Sequence, residues 1–411
     1  MFASLDPTVL RRLDHIDHAD VLVGIPCFEN ESTIAGVIAA VEAGLREYAG
    51  DRRAVICVSD GGSTDRTRDV ASGSVGTVDR IVFEYVGVPG KGSAVRAILE
   101  AAARLGVGAC ALFDADLRSI TPRWVDRLLG PVVRDGFDFV APVYVRHKHD
   151  GTITNSLAYP VTTALYGIRI RQPIGGEFGL SGRLAEHLVA EDAWDSDVAR
   201  FGIDIWMTTS AVAERFRICQ SILGGKVHDP KDPGADLGPM FRQVVGSMFS
   251  LAGRYHDRWA GVRTVETPPT FGDRSDDAPE PVAVSIDRLE AAFREGYRRH
   301  RDLWRRMLSA EALAAAERAA TSAVEIEDGP WFTIVYDSLI AYHAGEVEPG
   351  RILDALIPLY FARTAGFVRS ISDASDKEAE ARVEAAVDGA VAAKPELVRR
   401  WAERDHHRIA T

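Results

Sequence analysis

Apolar and polar positions divide this chain into two textures. Up to about residue 145, short, largely apolar runs at 21–26, 54–60, 81–85, 109–113 and 137–145 read as strands, and the run at 109–113 leaves no polar face, the pattern of a strand buried on both sides. Amphipathic stretches separate them. Ile34, Val37, Ile38 and Val41 line one face of a helix through about Leu45, with Asn30 placed to cap it. Gly61 and Gly62 make a turn after which Ser63 or Thr64 is placed to cap the next helix, and Gly106 ends a helix over 93–105. Strands alternating with helices predict an α/β protein with a parallel, doubly wound sheet. Beyond 145 the pattern loosens: a helix over 155–166, a turn at 172–177 carrying a buried-looking carboxylate, an amphipathic helix opening at 201–206 and a late strand at 218–222.

The segment 267–281 is rich in Pro and Asp and reads as a linker. After it the texture is all helical. Ile286, Leu289, Phe293, Tyr297, Trp304 and Leu308 share one helical face, and further helices are expected over 331–344, 352–370 and 376–393. The expected organisation is a polar lead-in with one short helix (1–20), an α/β domain (21–265), a linker (266–284) and a C-terminal helical domain (285–411). The stripe Leu289, Phe293, Tyr297 and Trp304 is too apolar to lie exposed. It is expected to pack on the α/β domain or on a second copy, making the protein a homo-oligomer.

Composition narrows the class. The chain has 411 residues, 46% of them apolar and 26% charged, enough for two or three domains of an ordinary soluble protein. A formal net charge of -12 argues against non-specific nucleic-acid binding and anionic membranes, so any phosphate site is a local basic spot on an acidic body. Cys27, Cys57, Cys110 and Cys219 fit no zinc or redox spacing and read as reduced core thiols. With no secretory signal and no apolar run near 18 residues, a cytoplasmic location is expected.

Candidate chemistry collects at strand ends. Asp114 and Asp116 follow the buried run at 109–113, and in open α/β sheets ligands sit outside the carboxyl ends of the strands. Magnesium or manganese is held by one or two carboxylates with substrate phosphates completing the shell, so Asp-Ala-Asp suits a divalent ion carrying a diphosphate; the alternative is a pair of solvated turn aspartates. Asp60 and Glu29 end up on the same edge. Lys91, between Gly90 and Gly92, opens a helix whose N-terminus favours anions, although this is neither a Walker loop nor a dinucleotide fingerprint.

In their order along the chain, Ile-Pro-Cys-Phe-Glu-Asn-Glu (25–31), Ser-Asp-Gly-Gly-Ser-Thr-Asp (59–65), Pro-Gly-Lys-Gly (89–92) and Asp-Ala-Asp (114–116) resemble nucleotide-sugar glycosyltransferases of the single Rossmann-like GT-A type. With 172–177, 202–204 and Gly225-Lys226-Val227-His228, they resemble the retaining glucosyl-3-phosphoglycerate synthase and mannosylglycerate synthase families. The resemblance spans roughly 20–260 by motif and the tail by texture. It implies a Mg2+ or Mn2+ site at Asp116 and His228, with Asp114 between metal and nucleotide. Pro26, Glu29, Asp60, Lys91, Gly175 and Gly176 are implied nucleotide-sugar contacts. Glu177 would bind sugar hydroxyls, the Ile174 carbonyl would face the anomeric carbon, and Asp204 would lie close to the transferred sugar. The implied reaction moves glucose or mannose from a UDP- or GDP-hexose to D-glycerate or 3-phosphoglycerate, by front-side displacement.

The acceptor stretch departs from the phosphoglycerate enzymes, which carry Gly-Arg-x-Thr where this chain has Gly151-Thr152-Ile153-Thr154. Arg146, Thr152 and Thr154 are therefore the expected acceptor residues. The missing arginine tilts the choice toward unphosphorylated glycerate unless Lys148 or His149 replaces the cation. Competing readings are a lipid-linked or other hydroxyl acceptor and, from another class, a catalytically inactive nucleotide-sugar-binding protein. A sugar nucleotidyltransferase is disfavoured, because Phe28-Glu29-Asn30-Glu31 stands where its basic loop would be.

Overall fold

The computed structural model describes residues 4–73, 76–227, 237–273, 279–322 and 325–410. Two compact units emerge. One comprises Met1–Arg146, Ile170–Asp229 and Thr267–Glu280; the other His147–Arg169, Pro230–Glu266 and Pro281–Thr411. This division differs from the expected one, because the chain passes between the units more than once. The segment read as a linker contributes a strand to the first unit, and 147–169 joins the helical unit.

The first unit is built on one sheet of eight strands: β1 Val21–Cys27, β2 Ala54–Asp60, β3 Asp79–Glu84, β4 Ala109–Leu112, β5 Phe139–Val145, β6 Phe178–Ser181, β7 Ile218–Gly225 and β8 Thr270–Phe271. Their order is β3-β2-β1-β4-β6-β5-β7-β8. The runs at 21–26, 54–60, 109–113 and 137–145 are interior strands, and every residue of β1 is buried, whereas 81–85 lies on the edge strand β3, which has Asp79 and Glu84 exposed. Val23, Ile25, Ile38, Val41, Val125 and Leu128 belong to one buried cluster, each such side chain contributing about 1.5–3 kcal/mol over exposure. The four cysteines are buried and free, and burial pushes the Cys57 thiol up to about 12.

The sheet is not wholly parallel. β6 runs antiparallel between β4 and β5. It has four residues, too few to leave a periodic signal, and was not expected. Its direction matters, because an antiparallel strand begins at the edge where its parallel neighbours end. The turn at 172–177 is thereby delivered beside Asp114. Two expected caps also differ. The helix Ile34–Tyr48 has Thr33 at its N-cap with no side-chain capping bond, while the Asn30 side chain accepts from the Phe28 amide. The helix Thr67–Gly73 takes its cap bond from Asp65, and Ser63 is drawn away to Asp60 and Glu29.

The second unit is helical: Leu237–Arg254, Ile286–Met307, Ala310–Ser322, Asp328–Ala344, Pro349–Ser370 and Asp376–Ala410, with 154–166 threaded among them. In the apolar stripe Leu289, Phe293 and Trp304 are buried. The helix Pro349–Ser370 of the same unit covers it: the Trp304 indole donates to the Ala355 carbonyl at 2.9 Å, and Gly296 lies against Pro358. The stripe is thus satisfied inside its own unit and carries no argument for a second copy. Among the described residues no helix is long and apolar enough to cross a membrane.

Candidate active site

The carboxyl edge of the sheet gathers side chains from six segments distant in sequence. Lys91, first residue of the helix Lys91–Arg104, sets its ammonium 2.8 Å from Asp114 and 3.4 Å from Asp204. Asp204 stands in the first turn of the helix Ile203–Ala213, where Gly202 holds the N-cap; it faces Lys91 and is not itself the cap. On its other side Asp114 lies 3.8 Å from the Lys226 ammonium. Lys226 in turn contacts both Glu177 oxygens, at 3.0 and 2.8 Å, and the Gly175 carbonyl at 2.9 Å. The Tyr144 hydroxyl donates to Glu177 from the far end. Asp204, Lys91, Asp114, Lys226 and Glu177 form a ladder of alternating charge.

Close backbone approach makes the ladder possible. Gly176 has φ +93°, and a Cβ there would strike the Asp114 carboxylate, so only glycine lets the turn run this close. Gly92 is equally confined, because a side chain would meet the Val198 carbonyl. The Gly92 amide donates to the Arg200 carbonyl and the Gly90 amide to the Tyr85 hydroxyl. With these two amides engaged, positive charge at this corner comes chiefly from the Lys91 ammonium.

Burial and charge compete here. Burial works against the Lys91 ammonium, but Asp114 and Asp204 outweigh it and hold its pKa above the usual lysine range. Burial raises Glu177, opposed by Lys226 and reinforced by Asp114. Asp204 is raised in the same way, opposed by Lys91. Burial and the neighbouring Glu177 push the Tyr144 phenol well above its ordinary value. Three carboxylates thus face two ammonium groups, and Asp116 adds a fourth carboxylate on the same edge. Asp116 is partly exposed and has no side-chain partner among the described residues. A surplus of negative charge with one unengaged carboxylate suits a divalent cation.

Residues 22–177 match the sequence profile of glycosyl transferase family 2. The match runs from β1 through Glu177, ending on the ladder. Among solved structures, the chain is similar to glucosyl-3-phosphoglycerate synthase from Mycobacterium tuberculosis. The complex of that enzyme with Mn2+, UDP-glucose and phosphoglyceric acid is 26% identical, covering 61% of this chain and 84% of that one with a TM-score of 0.45. Its complex with Mn2+ and UDP-glucose is 25% identical over 59% and 83%, with a TM-score of 0.46. No curated protein matches. The first unit is a GT-A-like α/β core.

The other expected residues fall in varied places. Asp60 is fully buried, and its carboxylate accepts from the amides of Gly62 and Ser63 at 2.9 Å and from the Ser63 hydroxyl at 2.6 Å, so it shapes the turn after β2. Glu29, at φ +55°, accepts from the Thr64 amide at 2.8 Å and ties the first edge loop to the second. Pro26 pairs with Ser59 inside the sheet. Ile174 lies in the turn, partly exposed, beside the ladder's Gly175. The Arg146 guanidinium sits over the Tyr144 ring at 5.0 Å. Thr152 and Thr154 are buried in the helical unit, where Thr152 is hydrogen-bonded to the Tyr360 hydroxyl at 2.5 Å. The Lys148 ammonium donates to the carbonyls of Ile371, Ser372 and Ala374 at 2.9, 2.7 and 2.7 Å, engaging all three protons at a helix C-terminus. The His149 ring contacts the Val282 carbonyl at 3.1 Å. His228 lies outside the described residues.

Lys226 and Tyr144 were not singled out as site residues. Both stand at or just beyond the carboxyl ends of strands, which was the available signal.

Proposed function

We propose that the chain is a retaining hexosyltransferase that moves glucose or mannose from a UDP- or GDP-hexose to D-glycerate or its 3-phosphate. The observation that carries this reading is the alternating ladder with its surplus of negative charge, standing at the sheet edge where nucleotides bind in α/β folds. The match of residues 22–177 to the glycosyl transferase family 2 profile supports the same reaction class.

The roles follow from charge. Breaking the anomeric C–O bond leaves negative charge on the departing diphosphate and positive charge on the sugar. The Lys91 ammonium stands where it can turn from Asp114 and Asp204 toward that diphosphate. The residue types suit a divalent ion: Asp116 has no side-chain partner among the described residues, Asp114 stands two residues before it in the chain, and His228 is the third expected ligand. Mg2+ or Mn2+ bound there would supply Lewis-acid neutralisation of the diphosphate. Glu177, whose two oxygens are held by Lys226, would accept hydrogen bonds from sugar hydroxyls. Asp204 and the Ile174 carbonyl would face the positive side of the transferred sugar.

On the acceptor side, Arg146 is the cation proposed for the carboxylate, and the engagement of Lys148 elsewhere favours unphosphorylated D-glycerate. The cytoplasmic location expected from the sequence belongs to the same proposal. One assay tests it: UDP- and GDP-linked glucose and mannose crossed with D-glycerate and 3-phosphoglycerate, with Mn2+. Transfer with retained anomeric configuration in at least one combination is expected, glycerate being the better acceptor. Hydrolysis alone, or no turnover of any donor, contradicts the reading.

A further inference from the structure

Two lysines stand in the ladder, and their surroundings differ. Lys91 contacts carboxylates only, the groups for which a bound dication would compete. Lys226 is nine-tenths buried and is saturated by fixed partners: both oxygens of Glu177, which is wholly buried, and a main-chain carbonyl. An ammonium has three protons, and these three contacts account for them. The Tyr144 ring, 5.1 Å from the Lys226 ammonium, closes one side, and its hydroxyl reaches the same Glu177.

The backbone around Lys226 is built to hold it there. On β7 the register with β5 jumps from Val143↔Ile222 to Tyr144↔Gly224, so Leu223 is an extra residue in the strand. The bulge turns on Gly224, at φ +93°, and shifts the alternation of side chains beyond it. The main chain is then pinned on both flanks. The Lys226 amide donates to the Val145 carbonyl at 3.2 Å, and Val227 exchanges bonds with the Asp116 side of the edge, through the Arg118 amide and the Ser119 hydroxyl, each at 2.9 Å.

We infer that Lys226 is a positioning residue for the transferred sugar: it fixes the Glu177 carboxylate and the Gly175 carbonyl, and it does not grip the diphosphate. The inference rests on the proposed function and deepens it. One lysine exchanges partners when the donor arrives; the other stays with the turn. Removing Lys226 would leave Glu177 free to reorient, so the hexose would lose its register toward the acceptor while the nucleotide kept its site. Orientation of that kind acts on the rate more than on binding.

The test compares the wild-type chain with Lys226→Met and Tyr144→Phe. Calorimetry with Mn2+ gives the Kd of UDP and GDP, and transfer assays give kcat and the acceptor KM. For Lys226→Met the nucleotide Kd is expected to stay within about threefold while kcat falls about 30- to 100-fold. Tyr144→Phe keeps the ring under Lys226 and loses the hydroxyl's bonds to Glu177 and, at 3.3 Å, to the Gly175 carbonyl, so kcat is expected to fall about 3- to 10-fold at unchanged nucleotide Kd. Parallel loss of nucleotide affinity and kcat in Lys226→Met overturns the inference, since that is how a diphosphate-gripping lysine behaves. Unchanged kcat overturns it too. Should Lys226→Met fail to fold, Tyr144→Phe decides, and an unaltered kcat there is refuting. Failure of the proposed function itself shows in the wild-type chain, as absence of nucleotide binding or transfer, and the inference then falls with it.

Discussion

Lys91 in the sheet unit and Lys394 in the helical unit are both largely withdrawn from water, yet they are driven in opposite directions. Burial penalises each charge. Around Lys91 two carboxylates more than restore it, and its pKa rises. Around Lys394 the partners are neutral carbonyls, Leu165 at 2.9 Å and Val262 at 3.0 Å; burial, with the like charge of Arg263, pulls its pKa down to about 8. The contrast extends to whole clusters. In the helical unit Arg363 is enclosed by Glu325, Asp328 and the Ile326 carbonyl, and Arg400 is paired with Asp337. Those groups answer each other and hold the fold. At the sheet edge carboxylates outnumber cations and Asp116 has no side-chain partner among the described residues, so on the proposed reading that cluster is completed by what it binds.

Breaking the closed cluster should harm stability and spare chemistry. Arg363→Met leaves Glu325 and Asp328 without their buried cation and is expected to destabilise the chain by about 3–5 kcal/mol, read from urea denaturation. The fraction that remains folded should keep its wild-type kcat. Breaking the open cluster should do the reverse. Lys91→Met is expected to lower kcat/KM for the donor about 100- to 1,000-fold, with the far-ultraviolet dichroism spectrum unchanged. A large stability loss with unaltered kinetics would move Lys91 into the structural class.

A smaller effect sharpens the acceptor question. Lys148→Ala removes three charge-assisted bonds at a helix end and is expected to cost about 1–3 kcal/mol of stability. The KM for 3-phosphoglycerate should not change; a strong rise would return Lys148 to the acceptor site. The smallest effect is a pH dependence. The folded-state pKa of Lys394 lies below its unfolded value near 10.5, so between about pH 8 and 10.5 the unfolded chain binds more protons and stability rises with pH from this group. Lys394→Met should abolish that increment in melting curves taken across the window. A difference between variant and wild type that stays constant from pH 7 to 10 contradicts the assignment.

The sequence made the sheet edge legible for a simple reason. Runs buried on both faces have no alternative to central strands, and the polar residues ending them, Asp114 and Asp60, must emerge on one edge. Lys91 was legible from the glycines flanking it. What escaped depends on pairing across the chain. β6 has four residues and no period of its own, and its antiparallel direction follows from where β4 and β5 leave room. Lys226 and Glu177 are separated by 49 residues, so nothing near either announces the other. Segment 147–169 carries polar residues suited to an acceptor, and it was read so. Its Thr152 and Thr154 are buried in the helical unit, and Thr152 shares a hydrogen bond with Tyr360, 208 residues later. Local pattern reveals where chemistry emerges; which partners saturate a group is fixed by tertiary contact.

The claim that the sheet-edge cluster is an open site completed by a dication and a diphosphate is tested most directly by titrating UDP and GDP into the chain with Mn2+ and with EDTA, for the wild type and Asp116→Asn. Because Asp116 has no side-chain partner among the described residues, its replacement should leave the melting temperature unchanged. The account predicts nucleotide binding in the wild type that depends on Mn2+ and weakens about 100-fold or more in Asp116→Asn. Equal binding in EDTA, or full affinity in the Asp116→Asn variant, would contradict it.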